Sequence, residues 1–136
     1  MELETKTGEQ GRKMQTGTLS QIRRHWIAFC LTYAGVYEDY PFDDQWTAIR
    51  CRENGKTFSF LYERQGRVWI NLKSAPELSD FFRKVYPAVL PAYHMNKLHW
   101  NSVILDGTVP DEEIRGMISH SYELVAPQYT KRKNTP

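Results

Sequence analysis

The sequence lacks the features that would place it in a membrane or a secretory pathway. It has no apolar run approaching the ~20 consecutive residues that span a bilayer. Residues 1–17 contain no apolar stretch, so we expect no secretory signal there. The two cysteines, Cys30 and Cys51, form no C-x-x-C pattern and are typical of buried thiols in a reducing compartment. We therefore expect a cytoplasmic protein that does not associate with membranes.

Motifs that carry catalysis or hold a metal are also missing. The sequence has no H-E-x-x-H, no G-x-S-x-G and no glycine-rich phosphate loop. His94 and His99 are separated by five positions and His120 follows later, which matches no known ligand spacing. An alternative role for His94 and His99 is to satisfy buried backbone groups around a turn. We assign no catalytic residue, metal site or cofactor, and leave open an acid/base histidine pair formed in space.

Basic charge is scarce in the body of the chain. The sequence has 18 Lys+Arg and 16 Asp+Glu, a net charge of +2. Three basic residues lie in 127–136, and 1–17 holds three of each sign, which leaves 12 basic and 13 acidic residues in 18–126. A strong sequence-independent DNA binder usually has a basic body. The charge balance counts against that class and leaves room for a local basic patch.

Length and composition predict one folded domain between two loose ends. The chain of 136 residues is long enough for a single core. Residues 1–17 lack hydrophobic periodicity and predict a disordered leader, and residues 127–136 predict a basic tail. The single domain is expected at 18–126.

Apolar residues at three- and four-residue spacing predict three helices. The first is capped by Thr18 or Ser20. The second starts at a capping box, Ser74-Ala-Pro-Glu77, and the third is capped by Thr108, with Asp111 at the third helical position. The expected core-facing stripes are Leu19, Ile22, Trp26, Phe29, Cys30 and Tyr33; then Leu78, Phe81, Phe82 and Val85; then Ile114, Met117, Ile118, Ser121, Tyr122 and Val125.

Alternating residues predict five strands, near 46–53, 56–63, 67–73, 92–95 and 99–105. Asn54-Gly55 predicts a type I′ hairpin turn, and Arg64-Gln65-Gly66 forms the next turn. On the second strand Phe58, Phe60 and Tyr62 are expected on one face. Residues 36–44 are interpreted as an acidic, aromatic connector.

The predicted order α-β-β-β-α-β-β-α defines an α+β protein with two layers. We expect an antiparallel five-stranded sheet with the helices on one face. The other face of the sheet would be partly open, which an antiparallel sheet tolerates.

Two predicted hairpin tips suggest one candidate site. If the helix between strands three and four returns antiparallel to strand three, both tips lie at the same end of the sheet. One tip bears Arg52 and Lys56, and the other bears Asn96, Lys97 and His99. Paired tips of this kind can hold a phosphate backbone. The alternative is that both are ordinary solvated turns with scattered lysines.

A strand face that carries Arg50, Arg52, Trp69, Asn71 and Lys73 suggests a second candidate site. A tryptophan flanked by cations on an exposed face is suited to stacking a base and neutralising phosphates. The alternative is that Trp69 packs under a loop and the cations are merely solvated.

Four segments resemble the MmcQ/YjbR family: residues 37–42, 71–73, 91–101 and 119–125, which read YEDYPF, NLK, PAYHMNKLHWN and SHSYELV. The resemblance spans about 18–126. It implies a compact α/β domain similar to frataxin-like and secretion-chaperone-like folds. Family members are commonly described as candidate DNA-binding proteins because of a double-wing-like arrangement, a fold-level analogy. The resemblance implies no catalytic residues.

The leading hypothesis is a small non-enzymatic protein that binds DNA or another nucleic acid through paired hairpin wings. Arg52, Lys56, Lys73 and Lys97 would contact phosphates, and Asn71, Asn96, His99 and Trp100 would contact bases or sugars. The alternative is a domain that binds a small molecule or a protein partner on the open sheet face, with a pocket of Trp69, Tyr93, His94 and Trp100. A third hypothesis is an enzyme with an acid/base histidine. We expect a monomer.

Overall fold

The computed structural model describes residues 17–92 and 95–127, in which three helices and six strands follow one another. All six strands form one antiparallel sheet in the order β1-β2-β3-β4-β6-β5. The α+β class is therefore confirmed. No helix in these residues is long and apolar enough to cross a membrane. The elements are α1 Leu19–Cys30, β1 Val36–Asp39, β2 Trp46–Cys51, β3 Thr57–Arg64, β4 Arg67–Lys73, α2 Pro76–Val85, β5 Val89–Pro91, β6 Trp100–Ile104 and α3 Asp111–Val125.

The sheet has a sixth strand that the sequence analysis interpreted as a connector. Strand β1 is an edge strand that pairs only with β2. Its acidic residues hold it to its neighbours: Glu38 pairs with Arg24 of α1 at 3.0 Å and Asp39 with Arg50 of β2 at 2.7 Å. Charged residues are common on edge strands, where they prevent further pairing. The sheet therefore has six strands instead of the five predicted, because the charged residues of β1 are also typical of a loop.

Type I′ geometry is found at the second hairpin turn of the sheet and not at the first, where it was predicted. The β2–β3 loop is residues 52–56, with its turn at 52–55, and only Gly55 in it has a positive φ, of 70°. The Cys51 N–H donates to the carbonyl of Lys56 at 2.8 Å and closes the loop. The prediction of a type I′ turn at Asn54-Gly55 is therefore wrong. The residues with φ of 54° and 73° are Gln65 and Gly66, which link β3 to β4 as a type I′ turn requires.

Helices α1 and α3 pack on one face of the sheet and enclose the core. The α3 stripe is buried as predicted, at Ile114, Met117, Ile118, Ser121, Tyr122 and Val125.

A β-bulge changes which side chains of β3 face this core. The β2–β3 register shifts between Ile49 and Arg50, and Phe58 has no partner residue across it. As a result Phe58 and Ser59 both point toward the helices. The Phe58 ring lies 5.3 Å from that of Tyr122, and the Cys30 thiol donates to the Ser59 hydroxyl at 3.6 Å. The prediction that Phe58 shares a face with Phe60 and Tyr62 is wrong, because a bulge breaks strict alternation.

The predicted caps of the second and third helices are also wrong. Helix α2 begins after Ala75, whose N–H donates to Nε2 of His120 on α3 at 3.1 Å. The Ser74 hydroxyl donates instead to the Ala75 carbonyl. Helix α3 begins after Pro110, and the Thr108 hydroxyl donates to the Asp106 carboxylate. At α2 a tertiary contact therefore takes the place of the expected capping box, and at α3 the Thr108 hydroxyl is used within its own loop.

Replacing glycine by alanine is expected to have opposite effects on stability at Gly66 and at Gly116. We expect Gly66→Ala to lower the free energy of unfolding by about 1 kcal/mol, because alanine strains at positive φ. We expect Gly116→Ala, inside α3, to raise it by about 1 kcal/mol through helix propensity. A Cβ at either position would meet no atom within 4 Å, so steric clash does not enter. Urea denaturation measures both. Equal signs for the two variants would contradict the turn geometry.

Candidate ligand-binding face

The sheet face opposite the helices carries a row of aromatic side chains, and we call it the open face. Tyr62 stacks on Trp46 with ring centroids 4.0 Å apart and planes 10° from parallel. On its other side Tyr62 stacks on Trp69 at 6.3 Å and 24°. Phe60 contacts Trp46 at 5.8 Å and Trp100 at 6.0 Å. Aromatic residues from four neighbouring strands thus form one continuous surface.

A buried polar cluster lies within this aromatic surface. The Asn71 side chain is fully buried, and its Oδ1 accepts from the hydroxyls of Tyr62 at 2.8 Å and Ser102 at 2.6 Å. Its Nδ2 donates to the sulfur of Met95 at 3.4 Å. These bonds join β3, β4 and β6 to the segment that follows β5. Asn71 is therefore a structural residue at this position, and it does not present its amide at the surface as the sequence analysis expected.

The segment between β5 and β6 crosses the open face instead of projecting as a hairpin. The strand before it is Val89–Pro91. Of the predicted strand 92–95, Ala92 and Met95 are not in a strand, and residues 93 and 94 lie outside the described residues. Backbone bonds from Ala92 to Trp100 at 3.1 Å and from Trp100 to Asn96 at 3.0 Å fold the segment back. Arg83 of α2 donates to the Lys97 carbonyl and, at 2.7 Å, to Asn101 Oδ1. Hydrogen bonds thus hold the segment both to the sheet and to helix α2.

Met95 separates two grooves on the open face. The first, which we call the aromatic groove, has a volume of about 540 Å³ and is lined by Phe42, Asp43, Gln45, Trp46, Phe60 and Met95. Phe42 is 72% exposed at its rim, and its ring contacts Trp46 at 6.2 Å. This groove offers flat apolar walls to a ligand.

The second, which we call the cationic groove, has a volume of about 690 Å³. The Arg64 guanidinium lies 5.0 Å above the Trp69 ring, and the Trp69 indole N–H donates to the Arg64 carbonyl at 2.9 Å. Lys97 makes no ion pair with any residue of 17–92 or 95–127. The groove combines apolar walls with two cations, and it is lined by Arg64, Trp69, Leu90, Met95, Asn96 and Lys97 among others.

The residues of the proposed hairpin tips come to the same end of the sheet, as predicted. Strand β6 pairs with β4 so that Trp100 lies opposite Lys73, at the end where the 52–56 loop also lies. The two connections are three strand spacings apart, which is about 14 Å. Neither projects freely: the Asn54 side-chain amide ties the first to α3 by donating to the Val125 carbonyl at 3.0 Å, and the second folds over the open face.

The other predicted contact residues are scattered around this end. The Arg52 guanidinium lies 5.0 Å from the Tyr37 ring centre. Lys56, Asn96 and Lys97 are exposed, and Lys73, His99 and Trp100 are half-buried.

Two of the predicted pocket residues can be placed and two cannot. Trp69 is only 4% exposed and packs under the crossing segment, so the interpretation of an exposed stacking platform at Trp69 is wrong. The alternative is confirmed for Trp69 but not for the cations, because Arg50 pairs with Asp39 and Arg52 lies over Tyr37. Trp100 lies on the open face against Phe60. Tyr93 and His94 lie outside the described residues. The open face also includes Phe42, Arg64 and Met95, which sequence reasoning did not select.

In the part of the chain that the structure describes, groups able to do acid, base or thiol chemistry do not converge on this face. Burial raises the pKa of the Cys30 thiol to about 12 and raises that of Cys51 as well, so both favour the neutral form. His120 is used at the start of α2. Within residues 17–92 and 95–127, no three His, Cys, Asp or Glu side chains gather where a metal ion could be held.

The fold and this face define a class of small α+β domain with a six-stranded antiparallel sheet, helices on one face and an aromatic surface on the other. The family model for YjbR matches residues 31–124. The chain belongs to the YjbR family, and the resemblance noted in the sequence is confirmed.

Relatives and solved structures agree with this assignment. The uncharacterised protein YjbR of Escherichia coli K12 is 31% identical over 106 residues, covering 78% of this chain and 85% of that protein. The uncharacterised protein YyaQ of Bacillus subtilis is 33% identical over 102 residues, covering 66% and 86%. The crystal structure of the Deinococcus radiodurans protein DR2400 matches with a TM-score of 0.70 and 28% identity, covering 85% of this chain and 86% of that one. A Pseudomonas syringae crystal structure matches at 0.68 and 30%, covering 76% and 97%.

The Asn71 cluster predicts a large effect on stability. We expect Asn71→Ala to lower the free energy of unfolding by about 2 kcal/mol or more, because two buried hydroxyls lose their acceptor. The matched control is Ser79→Ala: Ser79 is equally buried, but its hydroxyl has no hydrogen-bond partner within the described residues. We expect that change to leave the free energy of unfolding unchanged or to raise it by about 1 kcal/mol, because it removes a buried hydroxyl that has no partner. A similar cost for both variants in urea denaturation would contradict the role given to Asn71.

Proposed function

We propose that this protein is a binding module that holds a ligand with a flat ring and an anionic group against its open face. The observation that carries the proposal is the pair of grooves on either side of Met95, one walled by aromatic rings and the other bearing two cations. Both lie on the sheet face that the helices leave free.

The aromatic groove supports the flat part of the ligand. Phe42, Trp46 and Phe60 are exposed or half-buried, so their ring surfaces are accessible to solvent. Stacking on such surfaces contributes about 1–3 kcal/mol per aromatic base and tolerates many ring types. The volumes of both grooves fall within the range of ~300–1,000 Å³ that is usual for small-molecule sites.

The cationic groove supports the anionic part. Arg64 and Lys97 line it together, and Lys97 has no acidic partner in the described part of the chain. The grooves lie over β2 and β3 on one side and over β4 and β5 on the other. Strands β2 and β4 are two spacings apart, about 10 Å. A ligand of the size of a nucleotide would reach from the rings to the cations.

Calorimetric titration with the four nucleoside monophosphates tests this function. For each nucleotide that binds, we expect Phe42→Ala to lower the affinity about tenfold, since one stacking surface is lost. Lys97→Ala should weaken it several-fold and remove part of its salt dependence. The matched controls are Phe81→Ala and Lys84→Ala, exposed residues of the same types on α2.

Three results would contradict the proposal. The first is no detectable binding of any of the four nucleotides at millimolar concentration. The second is binding that Phe42→Ala and Lys97→Ala leave unchanged. The third is equal weakening by the α2 controls, which would place the site elsewhere.

Nucleic-acid binding by paired wings is the second candidate. The observation that favours it is the common position of the two connections at one end of the sheet, with Arg52 and Lys56 on one and Lys97 on the other. A span of about 14 Å between them would let both reach phosphates of one duplex.

Fluorescence anisotropy with a 20-base-pair duplex and a single-stranded 20-mer at 50 and 200 mM salt separates the two candidates. If the wings hold a phosphate backbone, Lys56→Ala weakens duplex binding and lowers its salt slope. The same variant should leave nucleotide binding unchanged, because Lys56 lies outside both grooves. Absence of duplex binding at 50 mM salt would overturn the second candidate alone.

A further inference from the structure

Helix α2 turns an apolar stripe toward solvent. The sequence predicts Leu78, Phe81 and Val85 in the core, but they are 38%, 55% and 47% exposed. The buried side of the helix carries Ser79, and Phe82 packs against the core. Arg83 fixes this rotation through its bonds to Asn101 and to the carbonyl of Lys97. Residues 78, 81 and 85 share one side of a helix, so they form a continuous exposed patch.

Charges flank this stripe in an arrangement that complements itself. Glu77 and Lys84 are seven residues apart, two helical turns, and therefore lie on the same flank of the stripe. Phe81 lies near the midpoint between them. Both side chains are exposed, and neither makes an ion pair within the described residues.

A two-fold axis at Phe81 would bring two α2 helices together antiparallel, stripe against stripe. This operation keeps the flank on the same side and reverses the helix direction. Glu77 of each copy then faces Lys84 of the other, and both charges gain a partner. A parallel two-fold arrangement would put the charged flanks of the two copies on opposite sides of the contact, where neither Glu77 nor Lys84 meets a partner. The charge order along α2 therefore favours a second copy of this chain as the occupant.

We propose that the exposed stripe of α2 is the contact surface of a homodimer with two-fold symmetry, with Leu78, Phe81 and Val85 at its centre and Glu77–Lys84 pairs at its rim. This proposal departs from the expectation of a monomer. The surface lies apart from the two grooves, so the inference does not depend on the proposed ligand function.

Sedimentation velocity from 1 μM to 1 mM tests the dimer. We expect the weight-average mass to rise with concentration from 16.0 kDa toward twice that value. Phe81→Glu should abolish the rise, because it places a charge at the centre of the apolar contact. Phe42→Glu is the matched control, since Phe42 is an exposed phenylalanine on the open face and should leave association unchanged. Circular dichroism of each variant checks that the fold is intact.

Charge reversal tests the antiparallel register. Lys84→Glu alone and Glu77→Lys alone should each weaken association about tenfold, because two rim pairs become repulsive. An equimolar mixture of the two variants should regain the original affinity, since every contact then joins opposite charges.

A wild-type chain that stays at 16.0 kDa up to 1 mM would overturn the inference. If the Phe81→Glu variant still forms the dimer, the contact lies on another surface and the inference is also wrong. Failure of the mixed variants to associate better than either variant alone would overturn the antiparallel arrangement.

Discussion

The hydrogen bonds of one buried amide set the shape of the open face. Asn71 accepts from side chains on both neighbouring strands and donates to Met95 of the crossing segment. A buried amide without partners costs several kcal/mol, about 2–7 depending on the reference state, so these bonds are formed together or not at all. By holding Met95 over the middle of the sheet, they divide what would be a flat aromatic surface into two grooves.

The two faces of the sheet have different environments, and the rest of the architecture follows from that difference. One face packs the helices and encloses an apolar core, and the bulge at Phe58 adds a large ring to it. The other face keeps its rings stacked on one another, so that Tyr62 lies between two tryptophans. The fold shared with the relatives does not name a ligand, because one fold serves many functions. The grooves supply the argument for function.

Local patterns predicted most of the fold. Alternation located Arg67–Lys73 to the residue, and helical spacing selected the buried face of α3. The misses have non-local causes: β1 is held by ion pairs from α1 and β2, and the start of α2 is capped by a histidine from α3.

The candidate site was less accessible to sequence reasoning. Trp69 and Asn71 of β4 were correctly placed on the same face, yet nothing local to them indicates that Ala92 and residues 95–97 lie against them. Met95 and Arg64 become part of the site only through that crossing, and no pattern in the sequence marks them. The stretch 91–101 carries much of the family resemblance, and its described residues 95–97 lie over the open face instead of projecting from it.

The most direct test of the open face as the ligand site uses the four tryptophans of the chain. Three of them, Trp46, Trp69 and Trp100, lie on that face, and Trp26 lies in the core on the other side at 1% exposure. Each gives one indole N–H signal in a ¹H–¹⁵N correlation spectrum, which can be followed as a nucleoside monophosphate is added. The account predicts that the three open-face signals shift with a common saturation curve while that of Trp26 stays in place. Movement of Trp26 alone, or of none of the four, would contradict it.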